Sequence, residues 1–269
     1  MTQVLKLWPL LTATHHYDKS LSTRNLDAGT IIQAPILAYL IETKHGRILY
    51  DVGCDYAKIN DTLKLARYYN PEYFPFGAPE MTEEQRLPSH FARLGLTPKD
   101  IDVVFLGHLH FDHAGGLCDV CGASGHNLEV HVQQDELDAA LYATRTGEEV
   151  AYFDDEVVAQ SNWRVMQGEY DVVPGIRAIS SPGHTPGHMS LIIELPNAKP
   201  IILAGDAADL QENISQEIAP GLCWRNQDSL ALASIRKLKQ LAAQEQAEIW
   251  PNHDIVFWNS LKKFPNFYS

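Results

Sequence analysis

The six residues His108-Leu109-His110-Phe111-Asp112-His113 place three imidazoles and a carboxylate in one short stretch. They constrain the fold more than any other feature, because such a cluster is costly inside a protein unless a cation compensates it. The stretch ends Ile101 to His108 (IDVVFLGH), a near-continuous apolar run that reads as a strand buried on both faces. Imidazole and carboxylate are good ligands for borderline divalent metals. With 12 histidines in 269 residues, the H-x-H-x-D-H spacing has a chance expectation of roughly two in a thousand. Gly115 and Gly116 follow, and are expected to let the backbone turn sharply.

Later ligand candidates share one placement. His184 and His188 lie in SPGHTPGH after the run GIRAISS, Asp206 ends PIILAGD, and His253 follows the strand-like AEIW within Asn252-His253-Asp254. Each comes at the carboxyl end of an apolar run, where the sites of layered α/β sheets gather. His108, His110, Asp112, His113, His184, Asp206 and His253 make seven candidates. Seven is too many for one four-coordinate zinc and suits two divalent metals bridged by a carboxylate.

The rest of the chain reads as one α/β domain over residues 1–269, with no Pro/Ser-rich linker, internal repeat or low-complexity tract. Pro35 to Gly53 predicts two strands around a turn at Lys44-His45-Gly46. Thr82-Glu83-Glu84-Gln85 fits a capping box that opens a helix running to Leu94, with Gly95 as its C-cap. LEVHV (Leu128 to Val132), MSLIIEL (Met189 to Leu195) and the runs above predict short strands, and a helix is expected from about Gln134 to Tyr142. Ala231, Ile235, Leu238 and Ala242 fall at i, i+4, i+7 and i+11, an amphipathic helix that packs on the core. Acids exceed bases to a net charge of −13, which argues against nucleic acid or an anionic membrane surface as partner. No window approaches the roughly 20 apolar residues of a membrane span. Four cysteines without a regular framework and an N-terminus without a basic n-region lead us to expect a cytoplasmic protein.

The order H-x-H-x-D-H, S-P-G-H-T-P-G-H, G-D-A and N-H-D resembles the metallo-β-lactamase superfamily. Within it, HLHFDHAGG, QGEYDVVPGI, SPGHTPGHMSL and the late NHD are most similar to N-acyl homoserine lactonases, which quench bacterial quorum signals. The matching blocks run from about Pro35 to the C-terminus, with Cys54 to Met81 poorly matched. The resemblance implies an αββα sandwich and a dinuclear zinc hydrolase. It implies one metal at His108, His110 and His184, a second at Asp112, His113 and His253, and Asp206 bridging. The implied reaction is attack of a hydroxide shared by the metals on the lactone carbonyl, with Asp112 passing a proton to the departing alkoxide. The implied partner is a small lactone; a homodimer is compatible with the sequence. Two departures stand out. Asp209 occupies the position where these lactonases usually carry a tyrosine that helps orient the carbonyl, and Asn252 stands where they have glycine. The first hairpin keeps the family carboxylate as Asp51, which either orients a ligand histidine or only shapes a turn.

The remaining features are weighed similarly. Arg67 to Met81 (RYYNPEYFPFGAPEM) is a packed surface loop or a lid whose aromatics, Tyr69, Phe74 and Phe76 among them, hold an acyl chain over the metals. His188 is expected to donate or accept a hydrogen bond behind a ligand. Cys118 and Cys121 read as loop cysteines, since no second pair follows. His15, His16, His45, His90, His126 and His131 lack metal-like company, and Glu169, Tyr170 and Asp171 read as turn residues. Other chemistries on the same metals remain open: a thioesterase, a phosphodiesterase, another lactonase or an iron dioxygenase. So does a purely structural cluster, although structural zinc sites are typically cysteine-rich.

Overall fold

The computed structural model describes residues 2–24, 26–124, 128–158 and 163–269. His126 lies outside them. Among the described residues eleven strands form two sheets. The first comprises, in spatial order, β1 (Val4–Asp18), β2 (Ile31–Thr43), β3 (Gly46–Tyr50), β4 (Val103–Phe105), β5 (Glu129–Gln133) and β6 (Trp163–Met166). The second runs β11 (Glu248–Trp250), β10 (Ile201–Leu203), β9 (Met189–Ile193), β8 (Ile176–Ser180) and β7 (Tyr170–Val173). From β3 to β6 the pairing is parallel, as is that of β10 with β11.

Two-residue periodicity along the strands builds the layers. Leu37, Tyr39 and Ile41 of β2 share a buried cluster with Ala178, Leu191, Ile193 and Leu203 of the opposite sheet. The intervening Ala38 and Leu40 instead join Leu87, Phe91, Val120 and Ala140 from helices on the outer face. On the other flank Ile179, Ile192 and Ile202 point away from the partner sheet onto Leu238 of the helix Asp228–Glu245. Helices therefore cover both outer faces, giving the expected αββα sandwich. Strands buried on both sides need apolar residues at every position, which is why their sequences read as continuous runs.

The expected hairpin forms, with β2 and β3 joined at Lys44-His45. The Thr82 signal opens a short 3-10 turn, Glu83–Gln85, in which the Gln85 side chain accepts the Thr82 N–H at 2.8 Å. A separate α-helix, Leu87–Arg93, follows because Pro88 cannot continue the first. Gly95 takes φ +71° after it. The helix expected from Gln134 extends to Thr146 and ends at Gly147 in the left-handed region. Other readings need correction. The 15-residue β1 was not legible, since Pro9 interrupts its pattern; as an edge strand β1 tolerates the missing N–H. Tyr170 and Asp171 are not turn residues but open β7. Cys118 and Cys121 form no disulfide and lie on the helix Leu117–Ser124 rather than in a loop. No helix among the described residues is long and apolar enough to cross a membrane.

Gly115 and Gly116 do not turn the chain through a left-handed conformation: Gly115 is α-helical at φ −59°, and neither has a positive φ. They are required for close approach. A Cβ on Gly116 would lie 2.0 Å from the Val52 carbonyl oxygen, and one on Gly115 2.5 Å from the Asp55 nitrogen. This contact seats the HLHFDH segment against the loop after β3, where Gly116 donates its N–H to Gly53 at 3.0 Å. Gly116→Ala is expected to cost about 3 kcal/mol or more, because backbone obstructs the new methyl group. Urea unfolding of the metal-free proteins measures this; a loss below about 1 kcal/mol would contradict the packing argument.

Candidate metal centre

Strand ends deliver the site. His108, His110, Asp112 and His113 follow β4, His184 follows β8, Asp206 follows β10 and His253 follows β11. All are buried except Asp112, which is half-buried. Ligand-type atoms of His108, His110 and His184 lie within 4.8 Å of one another, as do those of Asp112, His113 and His253. Asp206 stands between the two trios. Its Oδ2 is 3.4 Å from His184 Nε2 and 3.8 Å from His108 Nε2, whereas its Oδ1 is 3.2 Å from both His113 Nε2 and His253 Nε2. One oxygen thus faces each trio.

Hydrogen bonds on the far side of three of the rings, His113, His184 and His253, fix which nitrogen points inward. His184 Nδ1–H donates to the Leu222 carbonyl and His253 Nδ1–H to that of Pro35, each at 2.9 Å. His113 Nδ1 meets Asp51 Oδ2 at 2.8 Å, and Asp51 Oδ1 accepts the Gly107 N–H. Asp51 therefore orients a ring and ties down the strand end that carries it, from a left-handed φ of 55°. Such outer partners hold the inward lone pairs in place for a metal. The Nε2 atoms of His108 and His113 are buried without a hydrogen-bond partner. Unpaired buried nitrogens aimed at a shared carboxylate fit a pair of borderline divalent cations.

His188 supports the bridge from behind. Its Nε2 accepts the Asp206 N–H at 2.9 Å, and burial drives its pKa down to about 3, keeping the ring neutral. Its Nδ1–H then donates to Ser181, and the chain passes through Ser190 to the Ala204 carbonyl. Asn252 Nδ2 donates to Asp206 Oδ1 at 2.9 Å. A glycine there could not make this bond, so the departure from the family pattern adds a partner for the Asp206 carboxylate.

Reasoning from sequence missed Glu136. This fully buried carboxylate accepts the Leu109 N–H and the Tyr152 hydroxyl through Oε1 and the Gly187 N–H through Oε2, joining the two histidine loops. Tyr152 in turn packs edge-on against His110, with ring centroids 4.6 Å apart. The available signal was Glu136 itself, on the same helix face as Ala139, Ala140 and Ala143.

Above the carboxylates lies an open cavity with about 460 Å³ of empty space, part of it continuous with solvent. Leu21, Phe76, Phe111 and Leu222 supply its apolar wall, and its lining holds no lysine or arginine. Of the three aromatics expected over the site, only Phe76 reaches it. Tyr69 and Phe74 are buried behind Phe111 in an aromatic cluster, with Phe74 and Phe111 centroids 5.2 Å apart, so they anchor the segment rather than line the cavity. Asp209 lies in the wall beside Asp206, with Oδ1 unpartnered. His15 also lines the cavity, its Nε2–H donating to the Phe76 and Gly77 carbonyls. His90 and His131 are buried and hydrogen-bonded, and His16 and His45 lie on the surface.

A profile of the metallo-beta-lactamase superfamily matches residues 32–253. The chain belongs to that superfamily. Within it the chain falls in the N-acyl homoserine lactonase-like family. It is 34% identical to an N-acyl homoserine lactonase of a Bacillus species over 252 residues, 93% of each chain. It is 33% identical to the N-acyl homoserine lactonase AiiA of Bacillus thuringiensis subsp. kurstaki over 266 residues, covering 98% of this chain and 99% of the relative. Among solved structures, an N-acyl homoserine lactone hydrolase with N-hexanoyl-L-homoserine at its catalytic metal centre superposes with a TM-score of 0.86 at 32% identity, covering 99% of this chain and all of that one.

Charge in the cluster makes metal loading pH-dependent. Burial lowers His108, His110 and His184, so they stay neutral. Burial also opposes charge on His113 and His253, but Asp206 and its neighbours override it, raising His113 well above its usual value and His253 to about 10. Protons on these two rings therefore balance the carboxylates of the metal-free protein near neutral pH. Metal loading at pH 7 is expected to release protons, with affinity rising as pH rises toward 10. Calorimetric titrations in buffers of different ionisation heat measure the release; loading without it would contradict this charge balance.

Proposed function

We propose that this protein hydrolyses N-acyl homoserine lactones, opening the ring to the N-acyl homoserine and so quenching quorum signals. The observation that carries the reading is the placement of the Asp206 oxygens, one toward each trio, at the base of a partly apolar cavity without lysine or arginine. An uncharged lactone with an acyl tail suits such a wall, whereas a phosphodiester would leave its charge unpaired there. The solved relative that holds ring-opened N-hexanoyl-L-homoserine at its metal centre supports the same substrate class.

In this reading one cation is held by His108, His110 and His184, the other by Asp112, His113 and His253, with Asp206 shared. When bound, the two cations, zinc by preference, lower the pKa of water toward about 7 and polarise a carbonyl oxygen. The chain's own residues do the rest. Phe76, Phe111 and Leu222 hold the acyl tail and exclude water from it. Water adds hydroxide to the carbonyl carbon, the acyl carbon–oxygen bond of the ring breaks, and the ring oxygen takes a proton. Asp112 is the half-buried member of the set and lines the cavity, so its carboxylate carries that proton. The product acid ionises at neutral pH, so each turnover releases one proton to solvent. Four free cysteines support a reducing, cytoplasmic site of action.

Metal-replete protein is expected to release acid stoichiometrically from N-hexanoyl homoserine lactone in a pH-stat. Asp112→Asn should slow this roughly 100-fold or more. Turnover of thioesters or phosphodiesters with none of any acyl homoserine lactone would overturn the assignment.

A further inference from the structure

We propose that the Tyr17 hydroxyl is a substrate-contacting group of this site, donating a hydrogen bond to the lactone oxygens across the cavity from the cation pair. The inference rests on the lactonase reading and names a residue that neither the motifs nor that reading assigns. Tyr17 is the penultimate residue of β1 and lines the cavity with Asp112, Asp206 and His253.

Outside the seven candidate ligands, the polar side chains in the cavity lining are His15, Tyr17 and Asp209. His15 has already spent its Nε2–H on two carbonyls, and burial keeps the ring neutral, so Nδ1 offers only a lone pair. Burial, and then Asp206, raise the Asp209 pKa well above the usual carboxylate range, so Asp209 offers only acceptors when ionised and is the rival donor when protonated. The phenol donates to an oxygen that gains charge without adding a charge of its own.

The phenol is also held in place. Its oxygen lies 2.8 Å from Oγ of the fully buried Ser22. The His15 ring meets the Tyr17 ring edge-on, with centroids 5.2 Å apart. Either oxygen of the Tyr17–Ser22 pair can donate, so with the Ser22 proton given to the phenol oxygen the Tyr17 hydrogen is left for whatever enters the cavity. Desolvation of the half-buried ring, and then the adjacent Asp209, raise the phenol well above its usual pKa, which keeps it a neutral donor. A preorganised donor of this kind strengthens its bond as the carbonyl oxygen becomes an alkoxide.

The test compares metal-loaded wild-type protein with Tyr17→Phe, which removes one oxygen and leaves the ring. With N-hexanoyl homoserine lactone, kcat is expected to fall roughly 100-fold, with a far smaller change in KM. Binding of ring-opened N-hexanoyl homoserine, followed by calorimetry, should weaken roughly tenfold. Two metals per chain and the thermal midpoint should be retained. Unchanged kcat and product affinity would overturn the proposal, and so would a parallel loss of metal or thermal stability, which would make Tyr17 structural. A larger loss of kcat in Asp209→Asn than in Tyr17→Phe would move the role to Asp209 and overturn it too. A wild-type protein inert toward every lactone would sink the lactonase reading itself; equal product binding by wild type and variant would sink the Tyr17 assignment independently.

Discussion

A single carboxylate, Asp206, sits where four imidazoles converge, and the surrounding structure keeps it there. Removed from water and hemmed in by His108, His113, His184 and His253, it is tolerable only because positive charge surrounds it. Burial opposes its ionisation, yet the charged His113 and His253 hold its pKa well below the usual carboxylate range. His188 and Asn252 fix its backbone and one of its oxygens. Those bonds leave a geometry in which each oxygen addresses a different trio of ligands.

The sandwich exists in a form that makes this convergence possible. Parallel pairing of β3 with β4 and of β10 with β11 brings their carboxyl ends to one rim, and the loops leaving that rim are stapled rather than free. Glu136 joins the loop carrying Leu109 to the loop carrying Gly187. Asp51 joins the end of β3 to the start of the HLHFDH segment. A site built this way has its ligands positioned by hydrogen bonds that do not depend on the cations, which is the condition for preorganised catalysis.

Much of this was readable in the chain because the chemistry is local: four donors in six residues need no tertiary information to be recognised. Buried strands were also visible, since strands covered on both sides betray themselves as unbroken apolar runs, whereas the sandwich itself was implied by the family resemblance. Other features depend on contacts between distant segments. Glu136 looks like a surface acid of an amphipathic helix until three backbone and side-chain donors are seen to close on it. Tyr17 and His15 belong to an edge strand that Pro9 disguises. Tyr69 and Phe74 have the composition of a lid and the placement of a core, a distinction that aromatic content cannot make. Gly115 and Gly116 suggested a sharp turn, but what they supply is room for the Val52 and Asp55 backbone.

The central claim is that Asp206 bridges two cations. Anomalous diffraction from crystals of the zinc-loaded protein tests it most directly. The account predicts two peaks of comparable height, roughly 3.5 to 4 Å apart on either side of the Asp206 carboxylate, one against His108, His110 and His184 and the other against Asp112, His113 and His253. A single peak, or two peaks that both ignore Asp206, would contradict it.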